Sequence, residues 1–181
     1  MRIRLFTTLA VSACMLFTGC ASTTPNPPLP TVPTVDLARY TGAWYEIASL
    51  PNRFQKQCVA DTQARYRQTG ATIEVVNRCR TADGKVDDIT GVAKVVPDSG
   101  NAKLRVSFFR PFYGDYWVLA LGNGADYRWA LVGSPSREYG WVLSRTPAIP
   151  AADLEAAFAR AEALGYARSS FKPTPQTQPL P

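Results

Sequence analysis

The chain has 181 residues, a length typical of a single domain, and its 20 lysines and arginines outnumber its 14 aspartates and glutamates, giving a formal charge of +6. It contains no histidine, which argues against Ser-His-Asp and Cys-His catalysis and against most metal sites. It also lacks a phosphate-binding loop and a glycine-rich dinucleotide motif, so we expect neither an enzyme nor a bound cofactor.

The N-terminus predicts an export signal. Arg2 and Arg4 form a charged start, residues 5–17 form an apolar run, and Gly19 precedes Cys20. Such a run is too short to span a membrane but is typical of a secretory signal peptide. Because its removal takes away two arginines, the net charge falls from +6 to +4. The remaining positive charge is modest and scattered, so we expect no nucleic-acid partner.

The run FTGC at the end of this signal resembles the lipobox of bacterial lipoproteins. In that interpretation residues 1–19 are removed and Cys20 becomes the lipidated first residue, carrying acyl groups such as palmitate. An ordinary signal peptide cut near Ala21 is the alternative. In bacterial lipoproteins, alanine rather than aspartate after the cysteine points to the outer membrane. The resemblance therefore implies a domain held on the bacterial outer membrane by a lipid anchor and facing the periplasm.

Proline-rich segments flank the predicted domain. Residues 20–35 are uncharged and rich in proline and threonine, which predicts an extended tether that could hold the domain about 40 Å from the membrane. Residues 173–181, PTPQTQPLP, predict a disordered tail. The folded domain is then expected to cover residues 36–172.

Between these segments the sequence alternates in short runs separated by turn signals. In KLRVSFF, for example, Leu104, Val106 and Phe108 share one face and polar residues share the other. This period of two predicts half-buried strands. The predicted strands are 43–50, 58–67, 72–79, 89–96, 103–109, 115–122, 127–133 and 139–145. Eight strands at this spacing predict an all-β fold, an eight-stranded antiparallel up-and-down β-barrel.

One amphipathic helix follows the strands, in the run IPAADLEAAFARAEALGY. Leu154, Ala157 and Phe158 lie on its apolar stripe, with Pro150 before it and Gly165 at its end. A single C-terminal helix after eight strands is expected to pack on the outside of the barrel.

Two cysteines, Cys58 and Cys79, remain in the predicted domain. If residues 58–67 and 72–79 form a hairpin, these cysteines lie opposite each other within the slip of one bulge. A disulfide bond is therefore expected in an exported chain. Two free thiols or a metal pair are the alternatives, although the lack of further ligands argues against a metal.

Three motifs, GAWYEIA, GDYWVLAL and LSRTP, resemble in order and spacing the signature regions of lipocalins, above all the bacterial outer-membrane group and its relative apolipoprotein D. In this family the first tryptophan closes one end of the barrel and an arginine before the helix packs on it. The resemblance therefore implies a barrel floor made by Gly42, Trp44 and Arg145, with a cation–π contact between the last two.

Strand alternation then predicts which side chains face the barrel lumen, where a ligand would bind. The predicted lumen residues are Glu46, Tyr66, Val75, Asn77, Phe108, Tyr116, Val118, Tyr139 and Trp141. Alternation also turns Ala48 inward, and it leaves the side of Trp129 open. In YWVLAL both faces are apolar, so alternation is ambiguous there, and it is the family resemblance that implies inward positions for Tyr116, Val118 and Ala120. Glu46 is expected to make a structural hydrogen bond, because an unpaired carboxylate in a lumen is costly. Arg53, Lys56 and Arg110 near the open end could attract a carboxylate or phosphate.

A lumen of this composition suits an apolar chain with a polar head group. The family resemblance implies a small amphiphilic lipid, such as a fatty acid or lysophospholipid, for transport, storage or scavenging. A filled barrel that acts through protein partners is the alternative, and a haem or tetrapyrrole site would have to use tyrosine. The sequence leaves open whether the barrel forms a homodimer.

Overall fold

The structure, a computed structural model, describes residues 27–180 and shows one antiparallel sheet that closes on itself. The strand order is β2-β3-β4-β5-β6-β7-β8-β1-β9, and β1 also pairs with β2. The strands are β1 Gly42–Ser49, β2 Cys58–Thr69, β3 Thr72–Thr81, β4 Val86–Val95, β5 Lys103–Phe109, β6 Phe112–Leu121, β7 Trp129–Gly133, β8 Gly140–Ser144 and β9 Lys172–Pro173. The predicted eight-stranded barrel is thus confirmed, with β9 as a short addition. The predicted signal peptide and Cys20 lie outside the described residues.

Two helices flank the barrel. The single turn α1, Leu37–Tyr40, precedes β1, and α2, Ala151–Ala163, packs on the outer wall as predicted. Pro150 caps the start of α2, where its missing N–H is harmless, and Gly165 follows its end with a φ of +86°. Within residues 27–180 no helix combines the length and the hydrophobicity needed to cross a membrane.

The buried side chains form two clusters on opposite sides of the barrel wall. The lumen cluster lies inside and includes Trp44, Tyr66, Val75, Leu104, Val118 and Val132. The helix-side cluster lies between α2 and the wall and includes Leu119, Leu131, Val142, Ala157, Phe158 and Phe171. Strands β7 and β8 are therefore buried on both faces, which explains their nearly continuous apolar sequences.

Register shifts change which residues face the lumen. The pairing of β1 with β8 shifts between Glu46 and Ala48, and that of β6 with β7 shifts between Val118 and Ala120. Beyond each shift the side chains exchange faces. Ala48 and Ala120 consequently lie in the helix-side cluster. The inward positions expected for Ala48 from alternation and for Ala120 from the family resemblance are therefore wrong. Trp129, left unassigned by the sequence, lies in the same cluster.

The described part of the predicted tether is packed against the domain. Leu29 and Val35 are buried, and the amides of Val32 and Val35 donate to the carbonyls of Val118 (3.0 Å) and Gly100 (2.8 Å). These contacts differ from the free extended tether that the sequence predicted. The reason is that isolated apolar residues between prolines find matching gaps on the barrel surface, which no local pattern reveals.

The segment 172–180, which includes most of the tail 173–181 that the sequence predicted to be disordered, fills a gap in the barrel wall. Strands β1 and β2 pair only at the end of the wall nearest α1, through residues 42–45 of β1. Above that, β9 pairs with Ala48 and Ser49, and the Gln176 amide donates to the carbonyls of Glu46 (2.9 Å) and Thr62 (3.0 Å). The segment thus joins the two strands where they separate.

Asp61 fixes the far end of this segment. Its carboxylate is fully buried and accepts from the backbone amides of Thr177 (2.6 Å) and Gln178 (2.9 Å) and from Arg80 Nε (2.7 Å). Leu180 is buried, and its carbonyl accepts from the Gln63 amide at 2.7 Å. The sequence prediction of disorder therefore differs from the structure, because the segment is ordered by polar contacts to strand edges rather than by a hydrophobic pattern.

The predicted disulfide bond between Cys58 and Cys79 is confirmed, with a Cα–Cα distance of 5.5 Å. In the hairpin Thr69 pairs with Thr72 around a two-residue turn, and two irregularities near Cys58 bring the cysteines together.

Replacing both Cys58 and Cys79 with alanine is expected to lower the free energy of unfolding by about 3 kcal/mol. The bond closes a loop with a sequence separation of 21 residues, and the entropy it removes from the unfolded chain has this size. Urea unfolding under oxidising and reducing conditions measures the effect. The double variant should match the reduced wild type, and a variant as stable as the oxidised protein would contradict the prediction.

Candidate functional site

The barrel has an open end and a closed end, as its loops show. The loops 50–57, 82–85, 110–111 and 134–139 lie at one end, here called the mouth, and α1 covers the other end, here called the floor. The loops at the mouth meet directly, because the rings of Phe54 and Tyr139 lie 5.5 Å apart.

Trp44 and Arg145 build the floor. The Arg145 guanidinium lies 3.8 Å from the centre of the fully buried Trp44 ring and donates to the carbonyls of Thr41 and Ala43, both at 2.9 Å. The indole of Trp44 donates to the carbonyl of Tyr40 at 2.8 Å. Gly42 has a φ of +92°, which lets the backbone pass beneath Arg145. These contacts seal the end of the lumen.

Three tyrosines lie above the floor. The hydroxyl of Tyr116 is 2.7 Å from that of Tyr40 and 3.0 Å from that of Tyr66. Burial raises the pKa of Tyr66 to about 12 and also raises the pKa values of Tyr40 and Tyr116 above the usual value of a tyrosine, so all three stay protonated at neutral pH. Because three hydroxyl protons serve two hydrogen bonds, one proton is left for another acceptor.

The half of the lumen next to the floor, here called the lower lumen, is packed. Val75 and Val118 are 2% and 0% exposed, and the cavity beside Tyr40, Tyr66 and Tyr116 has a volume of only about 10 Å³. That volume holds about one water molecule. Of the predicted lumen residues, Tyr66, Val75 and Val118 therefore line the filled half of the barrel.

The half of the lumen next to the mouth, here called the upper lumen, is accessible to solvent. Phe108 and Trp141 pack against the lumen cluster but stay half-buried, and Asn77 faces inward in the same register as Val75. The Asn77 Oδ1 atom is buried and has no hydrogen-bond partner among the described residues. An apolar wall with a free buried acceptor is the arrangement expected of a site for a ligand with a polar group.

Glu46 joins the first mouth loop to the wall. Its carboxylate accepts from Ser49 (2.9 Å), from Gln55 (2.7 Å) and from Thr174 (2.5 Å). Gln55 also accepts from the Trp141 indole at 3.1 Å. Glu46 is thus a structural acceptor near the mouth, and Gln55 connects it to the upper lumen.

The remaining predicted residues lie at the mouth. Tyr139 stacks between Phe54 and Trp141, with a centre-to-centre distance of 6.0 Å to Trp141. Arg53, Lys56 and Arg110 are exposed there. A cleft of about 220 Å³ lies between the first mouth loop and the segment 172–180.

Sequence reasoning did not identify two residues of the site, Tyr40 and Gln55. Tyr40 lies just before the first strand, where no alternation indicates its orientation, although its position four residues before the floor tryptophan was a usable signal. Gln55 lies in an irregular loop, and its role depends on the close approach of Glu46 and Trp141, which no local pattern predicts.

Comparison with known proteins agrees with this geometry. Residues 35–176 match the lipocalin-like domain family. The chain is 41% identical over 141 residues to outer membrane lipoprotein Blc of Citrobacter freundii, covering 77% of this chain and 78% of that protein. It is 36% identical over 138 residues to apolipoprotein D of Mus musculus, covering 70% and 68%. The solved structure of insecticyanin from the tobacco hornworm Manduca sexta superposes with a TM-score of 0.69 at 22% identity, covering 84% of this chain and 86% of insecticyanin, and shows the fold.

Proposed function

The chain belongs to the lipocalin family, a family of binding proteins rather than enzymes, and we propose that it binds an amphiphilic lipid in its upper lumen. The ligand would be a fatty acid or a lysophospholipid, carried, stored or scavenged in the cell envelope. Cys20 would carry the acyl groups that hold the domain on the bacterial outer membrane, on the periplasmic side. The accessible apolar wall of the upper lumen is the observation that carries the proposal.

The contacts in the lumen support an apolar chain with a polar group. Phe108 and Trp141 offer apolar surface, while the Asn77 Oδ1 atom and the spare proton of the tyrosine group can each pair with a polar atom. Arg53 and Arg110 at the mouth can attract an anionic head group that remains in water.

The outer-membrane location is supported by the relatives and by the N-terminal sequence. Outer membrane lipoprotein Blc of Citrobacter freundii carries that location in its name, and residues 1–20 of this chain have the form of a lipoprotein signal. Mass spectrometry of the purified mature chain tests the anchor, because acylated Cys20 adds the mass of its acyl groups.

Native mass spectrometry of the mature protein tests the bound ligand, followed by titration with a lysophospholipid and a fatty acid. We expect a co-purified lipid or saturable one-to-one binding at micromolar concentration or below, roughly −8 kcal/mol or stronger. An empty protein that binds neither probe would contradict the proposal.

Trp141→Ala is expected to weaken binding of the lysophospholipid by about tenfold or more, because it removes a large part of the upper lumen wall. Trp117→Ala is the matched control, since Trp117 packs against the helix-side cluster. Thermal unfolding of both variants separates lost binding from lost folding. Equal affinities of the two variants would show that the ligand does not contact Trp141.

A filled barrel that acts through protein partners is the second candidate, and the close packing of the lower lumen favours it. The same titration separates the two, since only an accessible upper lumen exchanges ligand.

A further inference from the structure

The large hydrophobic side chains that are exposed within residues 27–180 all lie on the mouth side of the barrel. They are Phe54, Val59, Val86, Ile89, Phe109 and Phe112, and together they are here called the mouth rim. Phe109 and Phe112 are 72% and 77% exposed and face each other across the β5–β6 turn, while Phe54 is 59% exposed in the first mouth loop. An apolar group of this kind around an opening marks an interaction surface.

The rim carries charges of both signs. Arg53, Lys56 and Arg110 lie exposed beside the three phenylalanines, and Asp87 and Asp88 lie at the start of β4. Apolar side chains alternating with long cationic ones fit the boundary of a lipid layer, where the rings enter the acyl region and the cations meet phosphate groups.

The N-terminal segment fixes which end of the barrel is near the anchor. Its first described residue, Pro27, lies at the mouth end, where its carbonyl accepts from Arg137 in the loop 134–139 at 2.9 Å. Leu29 is buried in the helix-side cluster, and from there the chain runs along the outer wall to α1 at the floor. The chain therefore leaves the domain beside the mouth.

The distance to Cys20 is short. Cys20 lies seven positions before Pro27, and seven steps of an extended chain span at most about 25 Å. The ten-residue strand β3 at the usual barrel tilt is also about 25 Å high. The chain between Pro27 and Cys20 is therefore only just long enough to run from the mouth to the floor. A lipid anchor at Cys20 consequently holds the mouth, and not the floor, toward the lipid.

We propose that the mouth rim is a membrane-docking surface, which rests on the lipid layer that holds Cys20, so that lipid passes between bilayer and lumen without crossing water. This proposal rests on the lipid binding and the anchoring proposed above. It assigns the rim phenylalanines to contact with acyl chains and gives the packed segment 27–35 the role of setting the orientation.

Hydrogen exchange tests the orientation, with the lipid-anchored mature chain on vesicles of phosphatidylethanolamine and phosphatidylglycerol. We expect the amides of residues 53–57 and 109–113 to exchange more slowly in the wild type than in the double variant Phe109→Ser and Phe112→Ser. The floor amides of residues 97–102 should exchange equally in both. Protection at the floor, or equal exchange at the rim in both proteins, would overturn the proposal. Rim protection that depends on protein density in the membrane would overturn it in favour of a second copy of the chain.

Transfer kinetics separate docking from binding. We expect a fluorescent lysophospholipid to move from the vesicles into the lumen about tenfold more slowly in the double variant, with unchanged affinity for the same monomeric probe. The control variant Arg67→Ser and Gln68→Ser, which removes exposed side chains beside the floor, should transfer at the wild-type rate. Transfer at equal rates in all three proteins would overturn docking. A failure to bind the monomeric probe at all would instead count against the proposed function.

Discussion

Replacing Trp44 with alanine is expected to lower the free energy of unfolding by about 3 to 5 kcal/mol, the range for removing a fully buried tryptophan. The side chain fills the floor of the barrel, and its ring supports the Arg145 guanidinium at 3.8 Å. Without the ring, Arg145 loses its stacking partner and the hydrogen bonds to Thr41 and Ala43 are left beside a cavity. Chemical unfolding followed by circular dichroism measures the loss.

Trp44→Phe separates the two roles of this side chain. Phenylalanine keeps an aromatic face for Arg145 and removes the hydrogen bond to the carbonyl of Tyr40, so we expect a loss of about 1 to 2 kcal/mol. If Trp44→Ala destabilised the protein no more than Trp44→Phe, the aromatic contact would contribute little and the hydrogen bonds of Arg145 would hold the floor alone.

Replacing Asp61 with alanine is expected to cost about 2 to 4 kcal/mol and to release the segment 172–180. The substitution leaves the Arg80 guanidinium and the amides of Thr177 and Gln178 without their shared acceptor. Breaking a buried ion pair typically costs about 3 to 5 kcal/mol, and the partial exposure of Arg80 reduces that figure. Asp61 also has a φ of +56°, which alanine tolerates poorly. Hydrogen exchange of the amides of Thr177 and Gln178 reports the release.

The same site predicts a pH dependence. Burial alone would raise the pKa of the Asp61 carboxyl, but the hydrogen bonds from Arg80, Gln178 and Thr177 outweigh it and hold the pKa below 3.8. Since the unfolded chain takes up the proton first as the pH falls, the stabilisation is complete above about pH 5 and is lost as the pH drops through the folded-state value.

Asp61→Asn is the control for this titration, because asparagine keeps the shape and tolerates the left-handed backbone. The difference in unfolding free energy between wild type and Asp61→Asn should shrink as the pH falls below 3.8. A difference that stays constant from neutral to acidic pH would show that charge plays no part in holding the segment.

The barrel could be predicted from the sequence because its strands carry regular signals. Leu104, Val106 and Phe108 alternate with polar residues, and the two cysteines fall on neighbouring strands of one hairpin. The floor positions of Gly42, Trp44 and Arg145 could also be predicted, because each belongs to a motif that resembles a signature region of the lipocalins.

The parts that escaped prediction depend on contacts between distant residues. Ala48 and Ala120 leave the lumen because of register shifts. The shift in β6 occurs where both faces of the strand are apolar, so that alternation gives no warning, and the shift in β1 follows Glu46 without a local signal. Thr174 and Gln176 lie among prolines and show no periodicity, yet they find acceptors on β1 and β2. Their order comes from the partner surface rather than from their own sequence.

The segment 172–180 also has a consequence for the order in which the molecule can assemble. Because a protein is synthesised from its N-terminus, β1 and β2 are made long before residues 172–180. Asp61 and Thr177, for example, are 116 positions apart. The edges of β1 and β2 that the segment covers stay unpaired until the segment has been made, and contacts between residues so far apart in sequence form slowly. Newly made protein therefore passes through a stage with an unpaired strand edge, and it is during that stage that a chaperone or a protease would recognise it.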